Sequence, residues 1–82
     1  MTQDRKTILS EALKHRESEV LMHQINIDNY RLALDEITTN YSDDASLTEF
    51  AARLRDLHDS SVIEQRKEII MRDVIAKQLE GL

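Results

Sequence analysis

The amino-acid sequence predicts an all-α, elongated fold in which one long N-terminal helix packs against one kinked or two shorter C-terminal helices. The composition favours helix, since the 82 residues include one Gly, no Pro and many strong helix formers. A second observation is a mainly apolar stripe with alternating four- and three-residue steps, the spacing of a helix packed on another helix. We call this stripe the N-terminal seam, and it comprises Leu9, Leu13, Arg16, Val20, His23, Ile27, Tyr30, Leu34, Ile37 and Tyr41.

The first helix is expected over about residues 5–39, with Asp4 or Thr7 as its N-cap. Roughly 35 residues at 1.5 Å each span about 50 Å, whereas a compact chain of this length is about 30 Å across. The spacing therefore predicts either an elongated molecule or a bent helix. A bend is best placed at Asn26–Asn29, because Asn, Asp and β-branched Ile are weaker helix formers.

A loop is expected at residues 40–46, where turn-forming residues cluster. Ser46–Glu49 then has the pattern of a capping box, which predicts a second helix over about residues 47–58. The apolar face of that helix is expected to comprise Leu47, Phe50, Ala51, Leu54 and Leu57.

Asp59–Ser61 interrupts this second apolar pattern, and a further capping-box pattern follows it. These features favour a third helix over about residues 62–80. The alternative is one kinked helix over residues 47–80, which would form a hairpin of matched arms. Gly81 is expected to end the last helix, and residues 1–82 to form a single domain.

Charge and hydropathy bound the function classes. The net charge is −5, and the largest part of the acidic excess falls in the middle of the chain, which argues against general phosphate or nucleic-acid binding. The N-terminus lacks the apolar core of a secretory signal, and the apolar runs are too short for a membrane-spanning helix. We therefore expect a soluble protein with no membrane insertion. The absence of Cys excludes disulfides and fits a cytoplasmic location.

Two small constellations invite a chemical interpretation. His15 and Glu19 lie one helical turn apart, a spacing found in metal sites, but they are too few for one. Ser60 and Ser61 beside His58 have the residue types of a nucleophile and a base, yet nothing supplies an oxyanion hole. Helix capping explains the two serines better. We expect no catalytic residues, no cofactor and no metal.

Residues Thr48–Arg66 have some features of a helix-turn-helix, which makes DNA binding an alternative. The usual turn Gly is missing, and the surrounding charge is negative. No specific nucleic-acid partner is therefore expected.

The N-terminal seam is the best candidate for binding another protein. Arg16 and His23 interrupt it, so its N-terminal part suits an exchangeable partner, whereas its part from Ile27 to Tyr41 suits a permanent core. A chain of this size buries a thin core, which also favours a homo-oligomer. The candidate partner-binding residues are Arg16, Val20, His23, Ile27, Tyr30 and Leu34.

The segment Glu11–Ile37, EALKHRESEVLMHQINIDNYRLALDEI, resembles the rapid-lysis-inhibition accessory proteins of T-even bacteriophages, the cytoplasmic antiholins of the third rapid-lysis locus. The resemblance implies a non-enzymatic regulator in the host cytoplasm that binds the cytoplasmic N-terminal part of the phage holin and delays lysis. Chain length and helical character agree with that family. An alternative is a phage assembly protein or chaperone that uses the seam to form a helical oligomer. A weaker alternative is a DNA-binding or anti-host factor.

Overall fold

The computed structural model describes residues 4–82, which form two long antiparallel helices. Helix α1 runs over Arg5–Asn40 and helix α2 over Thr48–Glu80, with a short 3-10 helix at Ala45–Leu47 between them. The molecule measures 62 × 20 × 16 Å, and its radius of gyration of 18.4 Å exceeds the roughly 12 Å of a compact chain of this length. The predicted all-α, elongated fold is confirmed.

Helix α1 begins at one of its two predicted N-caps and ends one residue beyond the expected position. The Asp4 carboxylate accepts a hydrogen bond of 2.7 Å from the Thr7 amide, so Asp4 is the N-cap. At the other end, the Tyr41 amide donates to the Ile37 carbonyl at 2.9 Å. The helix is not interrupted at Asn26–Asn29, where the sequence offered a bend as an alternative, because these residues lie within continuous α1.

The turn differs in detail from the predicted capping box. Ser46 lies inside the 3-10 helix, and Asp44 accepts hydrogen bonds from the Ser46 amide and hydroxyl. Leu47 directly precedes α2 without a side-chain cap. The predicted capping box at Ser46–Glu49 is therefore wrong. The Ser46 amide, which Glu49 would bond in a capping box, donates instead to Asp44, two residues upstream.

The predicted break at Asp59–Ser61 does not occur. These residues lie inside α2, so the preferred arrangement of helices over 47–58 and 62–80 is wrong and the alternative of one C-terminal helix holds. Asp and Ser disfavour helix by only a fraction of a kcal/mol each, which packing against a second helix readily offsets. Gly81 is the C-cap of α2, as predicted.

The core lies along the line where the helices meet. Nine of the ten seam positions are buried or half-buried, and the exception is Tyr41, which is 51% exposed at the turn. The facing seam of α2 also repeats in three- and four-residue steps and comprises Ala51, Leu54, His58, Ser61, Gln65, Glu68, Arg72, Ile75 and Leu79. Within residues 4–82, the buried side chains are those of Ile27, Ala51, Leu54 and Ile75. The hairpin core is accordingly thin.

Candidate protein-docking faces

The six candidate partner-binding residues all lie on the side of α1 that α2 covers. Ile27 is 7% exposed, and the other five are half-buried: Arg16, Val20, His23, Tyr30 and Leu34. The structure thus brings the predicted set together, but as one half of an intramolecular interface. Another protein can contact the whole set only where α2 moves away.

Polar side chains hold the middle of this interface. Arg16 Nη1 lies 3.0 Å from Glu68 Oε2 and 3.3 Å from its Oε1. Gln65 Nε2 donates to the Val20 carbonyl at 3.1 Å and to the Gln24 side chain at 2.8 Å. This part of the hairpin is therefore joined by an ion pair and hydrogen bonds in addition to apolar contacts.

His23 and Glu64 belong to the same polar region. The Glu64 pKa lies below its ordinary value, chiefly because its carboxylate accepts a hydrogen bond from Lys67. The positive charge of Lys67 and then that of His23 add to the effect. Glu64 therefore remains a carboxylate at neutral pH, with the ammonium group of Lys67 beside it.

A second apolar row on α1 is open to solvent. Leu21, Ile25 and Leu32 are 61%, 52% and 57% exposed. Ile25 is two residues from both His23 and Ile27 of the seam, and two residues turn a helix by about 200°, so Ile25 lies on the opposite side of α1. We call these three residues the outer row. Their four- and seven-residue spacing was the signal that could have revealed them in the sequence.

Helix α2 carries a comparable outer pair. Ile63 and Ile70 are 52% and 57% exposed, and each lies two residues from a seam position on either side. Ile25 and Leu32 on α1 have the same seven-residue separation and the same exposures. The two pairs therefore offer matched surfaces on opposite sides of the molecule.

An open cavity of about 310 Å³ lies at the turn, between the end of α1 and the start of α2. Tyr41 and Arg55 contribute to its lining together with apolar residues such as Ile37 and Ala51. None of the six candidate partner-binding residues lines it.

The chemical candidates are not assembled into a site. His58 Nδ1 lies 3.1 Å from Asp59 Oδ1, its neighbour in sequence, and Ser60 and Ser61 are ordinary interior positions of α2. Within the part of the chain that the structure describes, no three His, Cys, Asp or Glu side chains come together in a way that could hold a metal ion. The helix-turn-helix alternative at Thr48–Arg66 is wrong, because that segment is one uninterrupted helix without the required turn.

The chain has no match among protein-family models, curated proteins or solved structures. Across residues 4–82, neither helix combines the length and the apolar character needed to cross a membrane.

Proposed function

We propose that this protein is an antiholin: a non-enzymatic regulatory protein of a phage that acts in the host cytoplasm and delays lysis by binding the cytoplasmic part of the holin. The observation that carries the proposal is the outer row, an unpartnered apolar surface on α1. Leu21, Ile25 and Leu32 all fall within Glu11–Ile37, the segment whose sequence resembles the antiholins.

The outer row suits an amphipathic helix of the partner. Helices that dock on a surface use anchors spaced three, four and seven residues apart, and the outer row offers receptor positions with that spacing. A partner helix lying there would cover side chains that are more than half exposed. Inhibition follows from occupancy alone, because a holin segment held on α1 is unavailable for assembly with other holins.

Charge further specifies the partner. Asp28, Asp35 and Glu36 lie around Leu32, where Arg31 Nη2 lies 3.5 Å from Asp28 Oδ1, and the whole chain carries a net charge of −5. An acidic surround favours association with a basic segment and raises the association rate at low salt. The proposed ligand is therefore an amphipathic holin helix with lysine or arginine beside its apolar face.

The seam residues predicted from the sequence offer a second docking mode for the same function. Arg16 and His23 lie where polar contacts close the hairpin, so a partner helix could replace α2 there. That mode requires the hairpin to open, whereas docking on the outer row leaves it closed. The two modes are separable by experiment.

The test is binding of a peptide from the cytoplasmic N-terminal segment of the holin, measured by calorimetry. The variant Ile25→Asp/Leu32→Asp should lose binding, because two carboxylates would be placed against the apolar face of the peptide. The matched control Ile63→Asp/Ile70→Asp makes the same change at the same spacing and exposure on α2 and should bind like the wild type. Circular dichroism establishes that both variants remain helical.

Absence of binding by the wild-type protein contradicts the antiholin proposal, and equal loss in both variants contradicts the assignment to the outer row. A hairpin that is cross-linked so that it cannot open distinguishes docking on the outer row from docking at the seam. In a variant with Arg16→Cys and Glu68→Cys, a short bifunctional maleimide would join α1 to α2. Cross-linked protein should still bind through the outer row, whereas docking at the seam would be abolished.

An assembly protein or chaperone is the second candidate function, and the exposed apolar rows on both helices favour it. Such a protein would form large helical oligomers without the holin. A trimer or larger assembly in solution that fails to bind the holin peptide would support this candidate over the antiholin.

A further inference from the structure

One side of the hairpin carries two parallel rows of residues that repeat every seven positions. On α1 the row comprises Arg5, Ala12, Glu19, Asn26 and Ala33, and on α2 it comprises Phe50, Leu57, Glu64, Met71 and Gln78. Arg5 Nη2 donates to Gln78 Oε1 at 2.9 Å, which places both rows on the same side of the molecule. We call this side the lateral face.

The lateral face is apolar at three of its five positions on α2, and two of its five positions on α1 are alanine. Phe50, Leu57 and Met71 are 51%, 38% and 41% exposed, although they flank the seam directly. On the α1 row, the small side chains of Ala12 and Ala33 leave a shallow surface beside these apolar residues. A helix pair with this relief can accept further helices at close distance, as in a four-helix bundle.

The surface area of the elongated hairpin is large for its mass. The hairpin exposes 6309 Å², whereas a compact monomer of 9.6 kDa exposes about 5,100 Å². The surplus of about 1,200 Å² exceeds the roughly 800 Å² that each partner buries in a standard interface. A second copy of the hairpin supplies a surface of matching length, and a standard interface would cover about 800 Å² of each copy.

We infer that two copies of the chain pair through their lateral faces to form an antiparallel four-helix bundle. Leu57 and Met71 each lie seven residues from Glu64, so an antiparallel pairing of the two α2 rows sets Leu57 of one copy against Met71 of the other. Glu64 then lies near the two-fold axis. Lys67 Nζ, 2.9 Å from Glu64 Oε1, offsets the charge of that carboxylate in each copy.

This dimer goes beyond the proposed function and does not depend on it. Ile25 and Leu32 lie on the far side of α1 from the seam and stay open when the lateral faces pair. Failure of the holin-binding experiment therefore leaves the dimer untouched, and failure of the dimer leaves the outer row available for docking.

Solution mass by light scattering or sedimentation equilibrium tests the dimer. The wild-type chain should have twice the monomer mass of 9.6 kDa at micromolar concentrations. The variant Leu57→Asp/Met71→Asp should have the monomer mass, whereas Ile63→Asp/Ile70→Asp, with its changes on the outer side of α2, should remain dimeric. A wild-type monomer, a larger assembly, or equal dissociation of both variants would overturn the inference.

Introduced cysteines test the same pairing without adding charge to the lateral face. The natural sequence contains no Cys, so a single Glu64→Cys substitution provides one thiol for each copy. Mild oxidation should link most Glu64→Cys chains into disulfide dimers, because the two thiols lie near the axis. Ile63→Cys, one residue away on the outer side, should cross-link only slowly. Equal cross-linking of the two variants would contradict the proposed axis.

Discussion

Arg16 of α1 and Glu68 of α2 form an ion pair across the middle of the hairpin, with 3.0 Å between Nη1 and Oε2. Their side chains are 33% and 19% exposed, so the pair lies at half depth rather than on the open surface. It occupies two facing seam positions where a coiled coil ordinarily has apolar side chains. The pair therefore fixes the antiparallel register at a position that contributes little apolar burial.

Removing one member of this pair should destabilise the hairpin. In the variant Arg16→Ala, the half-buried Glu68 carboxylate loses its partner, and the free energy of unfolding should fall by about 1 kcal/mol. The double variant Arg16→Met/Glu68→Leu should be at least as stable as the wild type, because apolar seam contacts replace the ions. Urea unfolding followed by circular dichroism measures both. An Arg16→Ala variant as stable as the wild type would show that the ion pair contributes no net stability.

Two isoleucines that lie only two positions apart in the sequence differ greatly in exposure. Ile27 is 7% exposed and Ile25 is 52% exposed. Ile27→Ala should lower the free energy of unfolding by about 2 kcal/mol, because it leaves a cavity in a thin core. Ile25→Ala should change it by no more than about 0.5 kcal/mol. Chemical denaturation of the two variants side by side checks the contrast, and similar losses would mean that α2 covers a different side of α1.

The fold was largely predictable because the spacing of the N-terminal seam alone specifies which side of α1 is covered. The continuity of α2 could not be predicted from the sequence, because the middle of the α2 seam is polar. Ser61, Gln65 and Glu68 face α1, so the apolar pattern fades there and imitates a break between two helices. Helix propensity cannot decide such a case, since the contacts that hold the segment come from residues distant in sequence.

The candidate site was predictable only in part, for a related reason. Periodicity identifies a residue such as Val20 or Leu34 as facing a helix, but the helix can belong to the same chain or to another one. Here α2 supplies it. The outer row is weaker in the sequence, because Leu21, Ile25 and Leu32 are separated by polar residues and repeat over only three turns.

A proline substitution at Ser60 tests the continuity of α2. This residue is exposed and lies in the interior of the helix, so only the backbone senses the substitution. Ser60→Pro should cost about 3 kcal/mol of unfolding free energy, because it removes a helical hydrogen bond and crowds the preceding turn. Ser60→Ala should instead stabilise the protein by a few tenths of a kcal/mol, or about 0.5 at most. Tolerance of proline at this position would indicate a break there.

Acid should weaken the start of α1 through the Asp4 carboxylate and the 3-10 turn before α2 through the Asp44 carboxylate. The pKa of Asp4 is lowered chiefly by its hydrogen bond from the Thr7 amide, and that of Asp44 chiefly by its hydrogen bond from the Ser46 hydroxyl. A pKa that is lower in the folded state stabilises the protein above the unfolded value of 3.8. This stabilisation is lost as the pH falls further, through the folded pKa.

The double variant Asp4→Asn/Asp44→Asn isolates this effect, because asparagine caps helices about as well as aspartate but does not titrate. Melting temperatures measured by circular dichroism from neutral pH into strong acid should fall less steeply for the variant than for the wild type below the ordinary aspartate pKa. Above that pKa the two curves should run parallel. Glu64 and the other carboxylates are common to both proteins, so they cancel in the comparison. Curves that stay parallel throughout acidification would show that neither cap depends on its charge.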